Sequence, residues 1–146
     1  MKDLTLMMIA AGGLLVGGFV HADHDMLHAT LYKNPQCGCC EAHANHLREH
    51  GFTVDTEPTH EMPVLKQEHG VTREMAGCHT TVVDGYVVEG HVHAGLIHRL
   101  LEERPDVTGI SLPGMPTGSP GMPGPKPEPL EVYTFDGEET ALFGTQ

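Results

Sequence analysis

The chain has 146 residues, eight Lys and Arg against twenty Asp and Glu, a formal net charge of −12, four cysteines and twelve histidines. That length holds one compact domain with an appendage rather than two full cores. So acidic a surface repels phosphate backbones and excludes nucleic acid as a partner, and with neither a phosphate-cradling glycine loop nor a nucleophilic serine motif, no reaction on an organic substrate is readable.

Met1-Lys2-Asp3 precedes an apolar run from Leu4 to Val20, and Val20-His21-Ala22 is an acceptable small-residue cleavage site. Residues 1–22 are therefore expected to be a cleaved signal peptide, which makes the mature protein an exported one, with no stable membrane insertion. A retained anchor is disfavoured because glycines interrupt the run and it is short for a membrane span.

Cleavage after Ala22 would leave Asp23-His24 at the new N-terminus, where the free amine, a backbone amide and an imidazole could chelate Cu(II), although a flexible tail is the preferred reading. His28 to Lys33 then has strand character, broken by Asn34-Pro35-Gln36. Cys37-Gly38-Cys39-Cys40 follows, and Glu41 to His50 reads as a helix stopped by Gly51. Phe52 to Asp55 alternates as a second strand, and Pro63 to His69 is a short helix with proline suited to its first turn.

Beyond Cys78-His79, the runs Thr80 to Val83 and Tyr86 to Glu89 flank Asp84-Gly85, a strong hairpin signal because both turn residues tolerate positive φ. Ala94 to Glu103 forms a last helix with Leu96, Ile97, Leu100 and Leu101 on one apolar stripe. The order β-α-β-α-β-β-α is that of an α/β, thioredoxin-like domain, assigned to residues 23–104. From Pro105 to Pro129 the Pro and Gly content predicts irregular structure. Leu130 to Phe135 and Thr140 to Phe143, around Asp136-Gly137, suggest a terminal hairpin that docks back, so residues 105–146 are an extension of that domain.

Two structural disulfides would be the ordinary expectation for four cysteines in an exported chain. The spacing opposes it, since a bridge within Cys37, Cys39 and Cys40 closes a tiny loop and restrains little of the unfolded chain. At a strand-to-helix turn these sulfurs meet unsatisfied N–H groups and the positive end of a helix dipole, which favours thiolates. In the expected topology Cys78-His79 enters beside that helix start, so the four sulfurs can converge. Soft thiolates suit Cu(I), zinc or iron–sulfur centres. Adjacent Cys39 and Cys40 cannot easily share one tetrahedral ion with Cys37, a problem that bridging between several Cu(I) ions relieves. Copper, as Cu(I) and polynuclear, is preferred, with zinc as the alternative. Cys37-x-x-Cys40 is also a dithiol redox spacing, which keeps a thiol–disulfide oxidoreductase open. Against it, His79-Thr80-Thr81 lacks the proline such enzymes place beside the redox pair. A zinc- or disulfide-stabilised interaction module is the third reading.

The run Tyr32 to Cys40, then Cys78-His79-Thr80, Val88-Glu89-Gly90-His91-Val92, Leu112-Pro113-Gly114-Met115-Pro116 and Gly118-Ser119-Pro120-Gly121-Met122, resembles the domain of unknown function 411 family, which includes CopG-type copper-resistance proteins. The resemblance spans His28 to Phe143. It implies a periplasmic, thioredoxin-like protein for copper resistance or handling, with copper ions and other periplasmic copper proteins as partners. Carried over by position, the implied ligands are Cys37, Cys39, Cys40 and Cys78, with His79 beside them. His93 departs from the family, where proline often follows the Gly-His-Val run.

Among the other histidines, His43, His46 and His50 form one helical stripe with Cys39, read here as a solvated polar face. His91 and His93, two apart, face the same way if extended and make a second set of candidate ligands. Met115 and Met122 suit Cu(I), but their Pro-Gly setting suits packing of the extension equally well, and they stay outside the ligand set.

Overall fold

The computed structural model describes residues 27–126 and 128–146. The expected signal segment, its cleavage point and Asp23-His24 lie outside the described residues. The elements run β1 (Leu27–Lys33), α1 (Gly38–Glu49), β2 (Phe52–Pro58), α2 (Met62–Glu68), β3 (Thr80–Val83), β4 (Tyr86–Glu89), α3 (Ala94–Glu103), β5 (Gly109–Ser111), β6 (Glu131–Asp136) and β7 (Glu139–Thr145). All strands join one mixed sheet in the order β2-β1-β3-β4-β5-β6-β7. β1 is parallel to β2 and antiparallel to β3, while β4 is antiparallel to β3 and parallel to β5.

Local chemistry explains most of the boundaries. Asp84 and Gly85 take φ of 46° and 83°, as the tight hairpin requires. Gly51, at φ 91°, ends α1 in a conformation that glycine adopts without strain. Helix α1 begins at Gly38 rather than at the expected Glu41, because the Cys37 sulfur caps it by accepting from the Cys40 N–H at 3.3 Å. Cys39 and Cys40 therefore belong to the first turn of the helix.

One face of the sheet carries the main core. Leu31, Val54, Val88 and Ile110 pack there with Cys40, Ala44 and Leu47 of α1 and Ala94, Ile97 and Leu100 of α3. Val87, pointing the other way from Val88, packs with Val71 and Phe135, and Met75 and Ala76 lie against them. The loop between α2 and β3 thus covers the second face and carries the chain to Cys78. Among the described residues no helix is long and apolar enough to cross a membrane.

The expectation of irregular structure throughout Pro105 to Pro129 is corrected at β5. Gly109, Ile110 and Ser111 pair with Val87, Val88 and Glu89, and Ile110 is fully buried. A Cβ at Gly109 would lie 1.9 Å from the Val87 carbonyl oxygen, so glycine is what allows the close approach. The terminal hairpin forms as expected and continues the sheet through β6 and β7.

Candidate metal centre

Two chain segments bring four sulfurs together. Cys37 caps α1, Cys39 and Cys40 occupy its first turn, and Cys78 arrives from the loop before β3. The Cys78 sulfur lies 3.4 Å from that of Cys37, 3.5 Å from Cys39 and 3.3 Å from Cys40. Cys37 and Cys40 are joined by a disulfide, and Cys39 and Cys78 are free thiols. Cys40 is buried and the other three are half-buried. An open cleft of about 680 Å³, lined by Pro35, Cys37, His60, Gly77, Cys78 and Met115, reaches the sulfurs from solvent. Met115, left out of the ligand set on sequence grounds, borders this cleft with much of its side chain exposed.

Cys78 is held in place by a buried ionic network. Glu89, with no exposed surface, accepts from the Gly77 N–H at 2.7 Å and from the Thr80 hydroxyl at 2.7 Å, and it pairs with Lys66 of α2. Gly77 must be glycine, because a Cβ there would approach Gly90 Cα to 2.7 Å. Sheet, helix and loop therefore fix the backbone immediately before the fourth cysteine.

The surroundings of Cys78 disfavour a bare thiolate. Burial, then the hydrogen bond and charge of neighbouring Cys39, push the Cys78 thiol up to about 12. Crowded thiolates repel one another, and a soft metal ion reverses that by binding the deprotonated form directly. Once the Cys37–Cys40 bridge is reduced, the donor set fits a thiophilic ion: four sulfurs whose ligand atoms lie within 4.8 Å of one another.

The histidines divide into two groups. His79, expected beside the cysteines, turns its ring toward His43 and His91, and all three are fully buried. His46, His50 and His93 form a second trio at the surface. His91 and His93 do not share a direction, because the Val92 N–H donates to the Gly90 carbonyl at 3.0 Å and closes a tight turn about His91. His93 instead caps α3, its Nδ1 accepting from the Gly95 N–H at 3.0 Å.

The reading of His43 as part of a solvated face is corrected. Cys40, Ala44 and Leu47 are the buried stripe of α1, and His43 lies among them, three residues after Cys40 and four before Leu47. That spacing was the available signal, overridden by the polarity of imidazole. Burial, reinforced by the neighbouring His91, His46 and His93, holds His43 down to about 3, against the pull of its hydrogen bond to the Val92 carbonyl. His46 is held at about 4, chiefly by burial and then by His50 and His93. Both are neutral near pH 7, the form that ligates metals.

The fold is shared with solved structures of related proteins. A family model described as "Protein of unknown function, DUF411" matches residues 75–122. Two solved structures named copper resistance protein copG are similar to the chain. Form 2 is 36% identical over 82% of this chain and 98% of its own, with a TM-score of 0.76. Form 1 is 35% identical over 84% of this chain and 98% of its own, with a TM-score of 0.77. The chain belongs to the DUF411 family of CopG-type copper-resistance proteins. No curated protein matches it. In this CopG-type chain the family-model match contains Cys78-His79, His91, β5 and the Pro-Gly segment up to Met122, so it spans the loop that delivers the fourth sulfur and the stretch that closes over α1.

Proposed function

We propose that this protein is a periplasmic copper-handling protein that takes up Cu(I) as cargo through the thiolates of Cys37, Cys39, Cys40 and Cys78, in a polynuclear centre serving copper resistance. The observation that carries the reading is the position of the Cys78 sulfur, within 3.5 Å of the other three. Nothing in so small a cluster favours one sulfur per ion, whereas bridging sulfurs let adjacent Cys39 and Cys40 serve different ions. Membership of a family with copper-resistance relatives supports copper over zinc. The β-α-β-α-β-β-α order supports a thioredoxin-like unit in the first part of the chain. Export rests on the apolar run at residues 4–20 and is tested by cell fractionation.

Titration of reduced, metal-free protein with Cu(I) in the absence of oxygen, against a competing chelator, tests the central claim. More than one copper per chain and a sulfur shell by X-ray absorption are expected. Cys39→Ser is the discriminating variant, because it leaves Cys37 and Cys40 intact while removing one bridging sulfur. It is expected to lower the bound copper by at least one ion per chain, and unchanged stoichiometry would sink the reading.

The Cys37–Cys40 disulfide favours a second reading, a dithiol oxidoreductase. Cys39 and Cys78, both within 3.5 Å of Cys37, stand ready to exchange with that bridge and give competing disulfides. Rapid insulin reduction that survives Cys39→Ser, with negligible copper binding, would establish this reading in place of the first.

A further inference from the structure

Behind the sulfurs lies a cluster that thiolate chemistry does not use. His43, His79 and His91 are each 0% exposed. Their ring centroids are 4.7 to 5.2 Å apart, and one nitrogen of each ring falls within 4.8 Å of the other two.

The proton positions follow from the acceptors. His43 Nε2 faces the Val92 carbonyl at 2.8 Å, and His91 Nδ1 faces the Pro120 carbonyl at 2.7 Å. A carbonyl only accepts, so both nitrogens carry the proton. His43 Nδ1 is therefore a lone pair, and His79 Nε2, at 2.7 Å, must donate to it. That leaves His79 Nδ1 and His91 Nε2 as buried lone pairs with no hydrogen-bond partner among the described residues. Of the three lone pairs, only that of His43 meets an N–H.

Burying polar atoms without partners is unfavourable, since each loses its hydrogen bonds to water and gains none in return. The shortage is of positive charge, and a cation supplies it. Two of the rings already show the arrangement typical of metal-bound imidazole, in which the far N–H is donated to a backbone carbonyl that fixes tautomer and orientation. The rings themselves bring no anion. The cost of burying an ion rises steeply with its charge, so a monovalent ion is favoured over a divalent one, and imidazole is a good copper ligand. His79 directly follows Cys78, and His43 lies one helical turn beyond Cys39, which puts the trio next to the sulfur cluster.

We propose that His43, His79 and His91 form a second, buried site for one Cu(I) ion, bound by imidazole nitrogen alone and set behind the thiolate centre. The extension completes it. Pro120 orients His91, and Gly121 packs so tightly on α1 that a Cβ would come within 2.7 Å of the His43 backbone nitrogen.

The test uses the full reduced chain without oxygen, carrying His50→Gln and His93→Gln in every form so that the surface trio is disabled, with loosely held copper stripped by a Cu(I) chelator. His43→Phe keeps a ring in the core and is expected to lower the stoichiometry by one copper. It should also remove the nitrogen shell from the X-ray absorption spectrum while the sulfur shell stays. Replacing all four cysteines by serine should leave one Cu(I) with nitrogen ligands only. An all-sulfur spectrum in the copper-saturated parent, or unchanged stoichiometry in His43→Phe, overturns the proposal. Should either variant fail to fold by circular dichroism, the parent spectrum decides. Loss of sulfur ligation in the parent would count instead against the thiolate centre and leave the nitrogen site standing.

Discussion

Glu89 accepts from Gly77 and Thr80 and pairs with Lys66, all from a position without solvent contact. Removing one partner of such a pair leaves a charge and an N–H uncompensated. Glu89→Ala is expected to destabilise the metal-free protein by about 3 kcal/mol in urea unfolding, and Glu89→Gln by less, since its amide oxygen still accepts from Gly77. Both should weaken copper binding through the displacement of Cys78. A second expectation concerns acid. His43 ionises near 6.5 when unfolded and at about 3 when folded, chiefly because it is buried, with His79, His91, His46 and His93 facing it. The unfolded chain therefore binds the extra proton between those values. Stability is full above pH 6.5 and falls by ~1.4 kcal/mol per pH unit per histidine as pH drops toward 3. Urea midpoints of metal-free protein at pH 7, 6 and 5 check this, and a flat series contradicts it. The four cysteines were legible in the sequence because three lie within one turn and the fourth precedes a recognisable hairpin. The buried histidines were not, because imidazole reads as polar until its partners are known, and those partners, Val92 and Pro120, are distant in sequence.

Helices α1 and α2 and the β3–β4 hairpin are punctuated by residues with a strong preference: Gly51 after α1, proline in the first turn of α2 and Asp84-Gly85 between β3 and β4. Such punctuation is local, so those elements were visible from the chain alone. Strand β5 has three residues, too few for any period, and exists because Val87 to Glu89 offer a free edge that Gly109 can approach. Propensity cannot see an edge supplied by another segment. Gly109→Ala places a carbon against the Val87 carbonyl and should unpair β5 from β4, separating the terminal hairpin from the rest of the sheet. Hydrogen exchange should then show lost protection at Val87 N–H, which donates to the Thr108 carbonyl, and along β6, while β1 and β2 remain protected. Uniform loss of protection across all strands would instead mean that the sheet opens as one unit.

The sites at the whole-molecule scale are assembled from segments that meet only in the folded chain: residues 37–43 at the start of α1, residues 77–79 before β3, His91 before α3, and the 112–122 stretch that bridges to Gly77 through Gly114 and to His91 through Pro120. A ligand that needs all of these stabilises the folded state by mass action, whereas the unfolded chain presents Cys37, Cys39 and Cys40 without Cys78. At a free Cu(I) level one hundredfold above the dissociation constant the gain is about 2.7 kcal/mol, which corresponds to roughly 10 °C in the unfolding midpoint for a domain of this size. Thermal unfolding of reduced protein with buffered Cu(I) is expected to show that rise. In a His43→Phe background, which removes the histidine site, Cys78→Ser should lose most of it, because the three remaining cysteines are neighbours in the unfolded chain as well and distinguish poorly between the two states. An equal rise in that double variant would mean that copper is held locally by the helix start, and that Cys78 serves the dithiol chemistry of Cys37 and Cys40 instead.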